Sequence, residues 1–277
     1  MNALILFFSG TGNTWWCARE LSRELSALGI TSKIHSIEQP VPSWDFDILG
    51  LGWPVYGSDL PLPMMDFIGK HLPDHSGNRS LFTFCTQYMF SGDGAQVPKK
   101  ELAAKGWSIQ WSAHFIMPNN ISVPQSPFSY TADYSRHRKM LNKTGKKIHR
   151  FARAIAENQP FTQGASTFSE ALGMIQRKPF RKYFPQWRNE IRIHTSTCTL
   201  CGRCVAICPS GNLFMNTEST PTTIETRGTC VLCIRCYNFC PVQAVLCMGK
   251  AHNPKRGIPF QGPVPEFKPE TLIHPRT

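Results

Sequence analysis

Two segments near the C-terminal end of the 277-residue chain repeat one spacing of four cysteines. Residues 198–209, the first cysteine motif, read Cys-x2-Cys-x2-Cys-x3-Cys-Pro, and residues 230–241, the second cysteine motif, repeat it 32 positions later. Disulfide frameworks belong mainly to short secreted chains, whereas nine of the eleven cysteines here lie in the last eighty residues, eight of them in these motifs. We therefore predict metal ligands rather than disulfide partners. The eight are Cys198, Cys201, Cys204, Cys208, Cys230, Cys233, Cys236 and Cys240.

The spacing resembles that of bacterial two-cluster ferredoxins, in which the fourth cysteine of each motif binds the other cluster. This resemblance implies two [4Fe–4S] clusters, one held by Cys198, Cys201, Cys204 and Cys240, the other by Cys230, Cys233, Cys236 and Cys208. Zinc is the alternative, because Cys-x2-Cys pairs also occur in zinc knuckles, but zinc sites close with four ligands and rarely repeat this motif. The remaining cysteines fit no metal spacing, and we predict small buried residues. They are Cys17, Cys85 and Cys247.

The first half of the chain alternates apolar runs with amphipathic stretches, which is typical of a parallel sheet flanked by helices. Strands are predicted near residues 3–8, 32–36, 48–52, 81–85 and 108–115. Helices are predicted near residues 14–28, 63–70 and 95–105, and a basic amphipathic helix from residue 134 to about residue 157 closes this domain. The expected fold class is therefore α/β, a doubly wound parallel sheet, followed by a small α+β domain.

A hydroxyl-rich loop lies between the first predicted strand and helix. A strand, a tight turn and a helix N-terminus present backbone N–H groups to a phosphate. No lysine follows the glycines, which argues against a Walker A loop, and Trp15 breaks the Gly-x-Gly-x-x-Gly pattern of dinucleotide sites. A loop without a cation suits a monophosphate. Its residues are Ser9, Gly10, Thr11, Gly12, Asn13 and Thr14.

These residues resemble the FMN phosphate loop of the flavodoxin family. The resemblance implies that two further loops, at the carboxyl ends of later strands, flank the flavin ring. Trp53, Tyr56 and Tyr88 are the candidates for stacking on the ring, and an ordinary core or rim position is the alternative for each. The expected flavin-contacting residues of the two loops are Trp53, Pro54, Val55, Tyr56, Gly57, Thr86, Gln87, Tyr88, Gly92, Asp93 and Gly94.

The whole pattern is similar to the flavodoxin–ferredoxin fusion proteins of anaerobes. It implies a flavodoxin-like FMN domain over residues 1–157 and a two-cluster ferredoxin-like domain over residues 194–250. Residues 158–193 have no clear period and are interpreted as a basic connector, and residues 251–277 as an extended, proline-rich surface tail.

We expect an oxidoreductase that transfers electrons between FMN and the clusters, because a flavin handles one or two electrons and each cluster handles one. The partner would be a redox protein such as a ferredoxin, a flavodoxin or a reductase. The alternative is an FMN-dependent reductase of a small substrate that receives electrons through the clusters. Candidate proton donors for that reaction are Tyr56, Tyr88, Asp93, His114 and Cys85.

The chain has a formal charge of +12, with 30 Lys and Arg against 18 Asp and Glu. The two clusters and the FMN phosphate reduce this to roughly +6, so the charge does not favour nucleic-acid binding. The basic residues of the closing helix either steer an acidic partner or are simply solvated: Arg136, Arg138, Lys139, Lys143, Lys146, Lys147, Arg150 and Arg153. No apolar run approaches the roughly 20 residues of a membrane span and no signal-peptide pattern is visible, so we expect a cytoplasmic protein.

Overall fold

The computed structural model describes residues 1–122 and 133–273, and its N-terminal part is built on one five-stranded parallel sheet. The strands run in the order β2-β1-β3-β4-β5, so the chain reverses its direction of winding beside β1. This is the flavodoxin-like order of a doubly wound sheet, and it confirms the predicted fold class. The strands are β1 (Asn2–Phe7), β2 (Thr31–Ser36), β3 (Ile48–Pro54), β4 (Arg79–Gln87) and β5 (Trp107–Ile116).

Strand β1 shows how the sequence alternation produces two cores. Ala3, Ile5 and Phe7 pack on one face of the sheet, and Leu4, Leu6 and Phe8 pack on the other, because successive side chains of a strand point to opposite faces. The first face is covered by α1 (Asn13–Ala27) and α4 (Tyr134–Ala156), and the second by α2 (Leu62–Lys70) and α3 (Lys99–Ala104). Helix pairs on both faces leave the carboxyl ends of the strands free for binding.

Most of residues 158–193, the segment interpreted as a basic connector, is helical. Residues Thr167–Asn189 form a 23-residue helix, α5, capped by the Ser166 side chain, which accepts a hydrogen bond from the backbone N–H of Ser169 at 3.1 Å. Pro179 and Pro185 lie inside this helix, although proline interrupts helical hydrogen bonding. Tertiary contacts along α5, described below, stabilise a helix that its sequence pattern does not indicate.

The cysteine-rich part folds as a small unit with its own core. Strands β6 (Arg192–Ile193) and β9 (Val245–Leu246) pair antiparallel, as do β7 (Leu213–Asn216) and β8 (Thr223–Thr226). Two one-turn helices, α6 (Arg203–Ala206) and α7 (Arg235–Asn238), each contain the third cysteine of a motif. This arrangement matches the predicted small α+β domain.

The proline-rich tail is more deeply packed than a surface tail. Two short 3₁₀ turns, Pro254–Arg256 and Pro269–Leu272, are its only regular elements among the described residues. Phe260, Phe267 and Leu272 are buried, and Phe267 contacts Trp15 at a ring-centroid distance of 5.3 Å. The tail therefore closes the core behind the phosphate loop. Pro275 and the rest of residues 274–277 lie outside the described residues. Across the described chain, no helix combines the length and the apolar character needed to cross a bilayer.

Candidate cofactor sites

A cavity of about 430 Å³ opens at the carboxyl edge of the sheet, where α/β sheets bind ligands. The loops after β1, β3, β4 and β5 form most of its wall, and α5 and the second cysteine motif complete it. None of the described residues that line it carries a charged side chain. Its lining includes the predicted residues Ser9, Gly10, Thr11, Asn13, Thr14, Pro54, Val55, Tyr56, Gly57, Thr86, Gln87 and Tyr88.

The phosphate loop is already organised by its own hydrogen bonds. Ser9 Oγ accepts from the backbone N–H groups of Gly12 and Trp15, both at 3.2 Å, so it fixes the turn into α1. Thr14 Oγ1 lies 2.9 Å from Thr86 Oγ1, which joins the loops after β1 and β4. Asn13 Oδ1 is buried without a hydrogen-bond partner. A buried acceptor in this position suits a ligand that brings hydroxyl donors as well as a phosphate.

Five residues predicted at the flavin do not line the cavity. Trp53 is fully buried beneath it and donates from Nε1 to the carbonyl oxygen of Gly94 at 3.1 Å. Asp93 is ion-paired with Arg177 of α5. Gly12 has a φ of +100° and faces the tail, because an added Cβ would lie 2.7 Å from the Phe267 ring. The residues outside the lining are Gly12, Trp53, Gly92, Asp93 and Gly94.

The candidate proton donors also divide into residues that line the cavity and residues that do not. Tyr56 and Tyr88 line the cavity, whereas Cys85, Asp93 and His114 do not. Burial raises the pKa of Cys85 to about 12, and its thiol lies 3.7 Å from Ser91 Oγ. Burial lowers the pKa of His114 to about 4, and its Nε2 accepts from the Ala95 backbone N–H at 3.2 Å. Both groups are therefore neutral, enclosed parts of the core.

Several lining residues were missed by the sequence reasoning. The loop after β5 could have been found, because every carboxyl-end loop of a doubly wound sheet borders this edge. No sequence signal places α5 or the second cysteine motif there. The missed residues include Pro118, Asn119, Asn120, Gln176, Phe180, Trp187, Leu232, Ile234, Cys247 and Met248.

The eight predicted metal ligands gather into two groups of four. Cys198, Cys201, Cys204 and Cys240 line one small cavity, and we call them group I. The other four, Cys208, Cys230, Cys233 and Cys236, form group II. Burial raises the pKa of Cys236, and the nearby thiols of Cys233, Cys230 and Cys208 raise it further. Each group thus takes its fourth member from the other motif. Within the described chain, no three His, Cys, Asp or Glu side chains are placed to hold one metal ion.

Backbone N–H groups donate hydrogen bonds to equivalent cysteine sulfur atoms in the two groups. The N–H of Leu200 donates to Cys198 Sγ at 3.4 Å, and the N–H of Leu232 donates to Cys230 Sγ at 3.3 Å. The N–H groups of Asn212 and Ala244 donate to Cys208 and Cys240, both at 3.2 Å. Each pair of donors is 32 residues apart, like the motifs. Such bonds favour thiolates and tune iron–sulfur clusters, so the donor set fits two clusters.

Comparisons with known proteins give one sequence-family match and several similar solved structures. Residues 190–241 match the sequence family described as 4Fe-4S dicluster domain. No curated protein matches the chain. Similar solved structures include an archaeal flavodoxin with 14% identity and a TM-score of 0.42, which covers 57% of this chain and 98% of its own. A flavodoxin from Streptococcus pneumoniae TIGR4 has 18% identity and a TM-score of 0.41, covering 57% and 99%.

A third similar structure is a flavodoxin from Fusobacterium nucleatum solved with bound flavin mononucleotide, at 14% identity and a TM-score of 0.40, covering 57% of this chain and 98% of its own. Strand order, not these low scores, defines the fold of the N-terminal part. The chain therefore combines a flavodoxin-like fold with a 4Fe-4S dicluster match, the combination that the resemblance to flavodoxin–ferredoxin fusion proteins implies.

Proposed function

We propose that the protein is an iron–sulfur flavoprotein that transfers electrons between FMN and two [4Fe–4S] clusters. Residues 1–157 supply most of the FMN site, and residues 194–250 supply the cluster ligands. The observation that carries the proposal is the cavity at the carboxyl edge of the sheet, whose described lining residues are all uncharged and combine hydroxyl and amide groups with apolar and aromatic side chains. That combination suits one phosphate, a hydroxylated chain and a flat ring system.

The chain's own residues would divide the binding work by position. Ser9 Oγ fixes the turn by accepting from Gly12 and Trp15, the remaining backbone N–H groups of the turn and of the first turn of α1 would hold the phosphate, and the Asn13 amide oxygen would accept from a hydroxyl of the ligand. Tyr56 and Tyr88 are the aromatic lining residues on the two ring loops. Phe180 and Trp187 of α5 exclude water from the ring end. When bound, FMN and the clusters supply two-electron and one-electron redox chemistry, respectively.

The cysteine groups would act as the cluster ligands that the dicluster match and the repeated N–H donors support. A one-electron carrier protein would be the partner, because each cluster passes electrons singly.

Anaerobic purification followed by flavin extraction and iron and labile-sulfide assays tests the cofactors. We expect one FMN and the iron and sulfide of two [4Fe–4S] clusters per chain. Stoichiometric zinc without labile sulfide would refute the cluster half, and FAD in place of FMN would refute the flavin half. Cys17→Ser is the matched control, because Cys17 is buried in the N-terminal core away from both groups.

The ligand grouping has its own test in the paramagnetic resonance spectrum of the reduced protein. If the fourth cysteines cross, Cys208→Ser alters the same cluster signal as Cys233→Ser, because both remove a ligand of group II. Cys240→Ser then matches Cys201→Ser. A Cys208→Ser spectrum that matches Cys201→Ser would contradict the grouping and leave the two-cluster composition intact.

A further inference from the structure

The two cysteine motifs are internal repeats, but their equivalent arginines lie in opposite environments. Arg203 precedes the third cysteine of the first motif, and Arg235 precedes the third cysteine of the second. The Arg203 side chain is 39% exposed and pairs with Glu270 of the tail, Nε to Oε1, at 3.0 Å. The Arg235 side chain is 0% exposed. One repeat is therefore buried against another part of the chain, and the other faces the surface.

Arg235 joins the second motif to the phosphate loop of the flavin cavity. Its Nε donates to the carbonyl oxygen of Gly10 at 2.8 Å, and its Nη2 donates to the carbonyl oxygen of Ser9 at 2.5 Å. Its two terminal nitrogens also bond both carboxylate oxygens of Glu38, which compensates the buried positive charge. The guanidinium thus holds the phosphate loop by its carbonyl groups from a position within the group II ligand loop.

The two loops are in direct backbone contact beside Arg235. A Cβ added to Gly10 would lie 2.7 Å from the carbonyl oxygen of Cys233, so only glycine allows this approach. Leu232 and Ile234, the residues on either side of Cys233, line the flavin cavity. Ile234 adopts a φ of +53°, a left-handed conformation that β-branched residues strongly disfavour. The group II loop keeps this strained conformation where it forms the cavity wall.

Group I has none of these contacts. The described residues that line its cavity all lie between positions 193 and 245, within the cysteine-rich part. Cys201 is exposed. Leu200, the repeat equivalent of the cavity-lining Leu232, is 37% exposed to solvent. The surface that the second motif presents to the flavin cavity is therefore presented to solvent by the first motif.

We propose that the cluster of group II exchanges electrons directly with the flavin, and that the cluster of group I is the port for a one-electron carrier protein. This ordering rests on the proposed function. Each transfer moves one electron and breaks no bond. Two successive transfers through the same route reduce the flavin fully, with protons taken from water and electrons supplied by the reduced carrier. Arg235 is a positioning residue that joins the group II loop to the phosphate loop.

Titrating flavin-free protein with FMN tests the proposed electron exchange between the group II cluster and the flavin, and the titrated protein carries no substitution. The two cluster signals are first assigned with Cys201→Ser and Cys233→Ser. FMN is then added to flavin-free protein, and the midpoint potential of each cluster is measured. The phosphate charge should shift the potential of the group II cluster to more negative values and leave the group I potential unchanged. A shift confined to group I, or equal shifts, would overturn the order.

The equivalent arginines give a matched pair of variants. Arg235→Gln should weaken FMN binding by about tenfold or more and lower the group II potential, because a buried cation favours the reduced cluster. Arg203→Gln should leave FMN affinity unchanged, and Arg235→Lys should restore part of the potential. FMN affinity that is the same in both glutamine variants would overturn the role of Arg235. If Arg235→Gln does not fold, the flavin titration of the unaltered chain still decides the order.

The rate of electron transfer from a small dithionite-reduced ferredoxin tests whether the group I cluster is the port for the carrier. Leu200→Gln, which removes the apolar contact and adds no charge beside the cluster, should slow flavin reduction by that ferredoxin by about tenfold, with the absorption spectrum and cluster potentials unchanged. Leu28→Gln, at a leucine 38% exposed on the flavodoxin-like part, is the control. Equal rates in the two variants would overturn the port assignment. Absence of FMN or of sulfide would instead refute the proposed function, so the two failures are distinguishable.

Discussion

Gly10 sits where the phosphate loop touches the carbonyl oxygen of Cys233. Gly10→Ala should destabilise the protein by about 1–3 kcal/mol, because the new methyl group overlaps a backbone atom that cannot rotate away. Gly145→Ala is the matched control. Gly145 lies inside α4 with no atom near its missing Cβ, so alanine should stabilise by about 0.5–1 kcal/mol. Anaerobic thermal unfolding at one scan rate should give shifts of opposite sign. A neutral Gly10→Ala would argue against the close contact.

His114 predicts a pH dependence of stability. Burial lowers its pKa to about 4, with a smaller contribution from the Lys147 cation, while in the unfolded chain it titrates near 6.5. The unfolded chain therefore takes up the proton first as the pH falls. The stability from this group is complete above pH 6.5 and is lost as the pH falls towards 4, about 1 kcal/mol of it by pH 5.5.

His114→Gln keeps an acceptor for the Ala95 N–H but cannot be protonated. The unfolding temperature of this variant should therefore fall less than that of the wild type between pH 7.5 and 5.5. His71→Gln, at an exposed position, should keep the wild-type dependence. An unchanged dependence in His114→Gln would show that His114 is not the group responsible.

Site residues that belong to a backbone motif were easier to predict from the sequence than residues whose role depends on the direction of one side chain. The phosphate loop was predictable because its spacing fixes a strand, a turn and a helix start, and five of its six residues line the cavity. Trp53 was not, because a strand of seven residues buried on both faces gives no indication of which aromatic points at a ligand. Asp93 is polar and lies in the correct loop, yet its carboxylate binds a helix that the sequence does not reveal.

At the scale of the elements, α5 encloses one side of the proposed flavin cavity. Arg177 bonds the Asp93 carboxylate and donates from Nε to the Ser58 carbonyl oxygen at 3.1 Å. Arg181 donates to both oxygens of Asp59 at 2.6 and 2.9 Å. These acceptors belong to the two loops expected to flank the flavin ring. Helix α5 therefore fastens both loops, and it contributes Phe180 to the cavity wall.

Arg177→Gln should loosen this fastening. Arg177, Asp59 and Asp93 are largely buried, and removing one member of such an ion-paired set costs about 3–5 kcal/mol. Hydrogen exchange of residues 167–189 should accelerate by about a hundredfold, and FMN should dissociate faster. Lys178→Gln changes an exposed cation on the same helix and should alter neither. Equal exchange rates in the two variants would show that the ion pairs do not hold α5.

Elements with an apolar pattern of their own were predictable from the sequence, and elements that are held by contacts with distant segments were not. The sheet strands were predictable from the apolar runs that alternate with amphipathic stretches, and four of the five, all but β2, bury apolar side chains on both faces. Helix α5 contains two prolines and a mixed pattern, and its contacts are with loops distant in sequence. The tail has prolines that exclude long elements, but its buried residues Phe267 and Leu272 reach a core formed by other segments.

At the scale of the whole molecule, the basic side chains of residues 131–193 fall into two sets. Some form contacts within the chain, and the others are exposed to solvent. Arg177 and Arg181 are engaged by carboxylates of the flavin loops. Lys147 turns inward and donates from Nζ to the His114 carbonyl oxygen at 2.6 Å. Arg153 pairs with Glu157 on its own helix. Arg136 pairs with Asp133 at the start of the same helix. The exposed Arg and Lys side chains of α4 outside these ion pairs are Arg138, Lys139, Lys143, Lys146 and Arg150.

These α4 cations should steer an acidic carrier towards the protein if they act together. A quadruple glutamine variant at Arg138, Lys139, Lys143 and Lys146 should slow carrier association several-fold at low salt and flatten its salt dependence. A second quadruple variant, at the exposed Lys33, Lys70, Lys99 and Lys100, removes the same net charge elsewhere. Stopped-flow rates at several salt concentrations compare the two. A larger effect of the α4 variant supports steering by this helix. Equal effects would mean that net charge alone attracts the carrier, and rates independent of salt would mean that the basic face of α4 is only solvated.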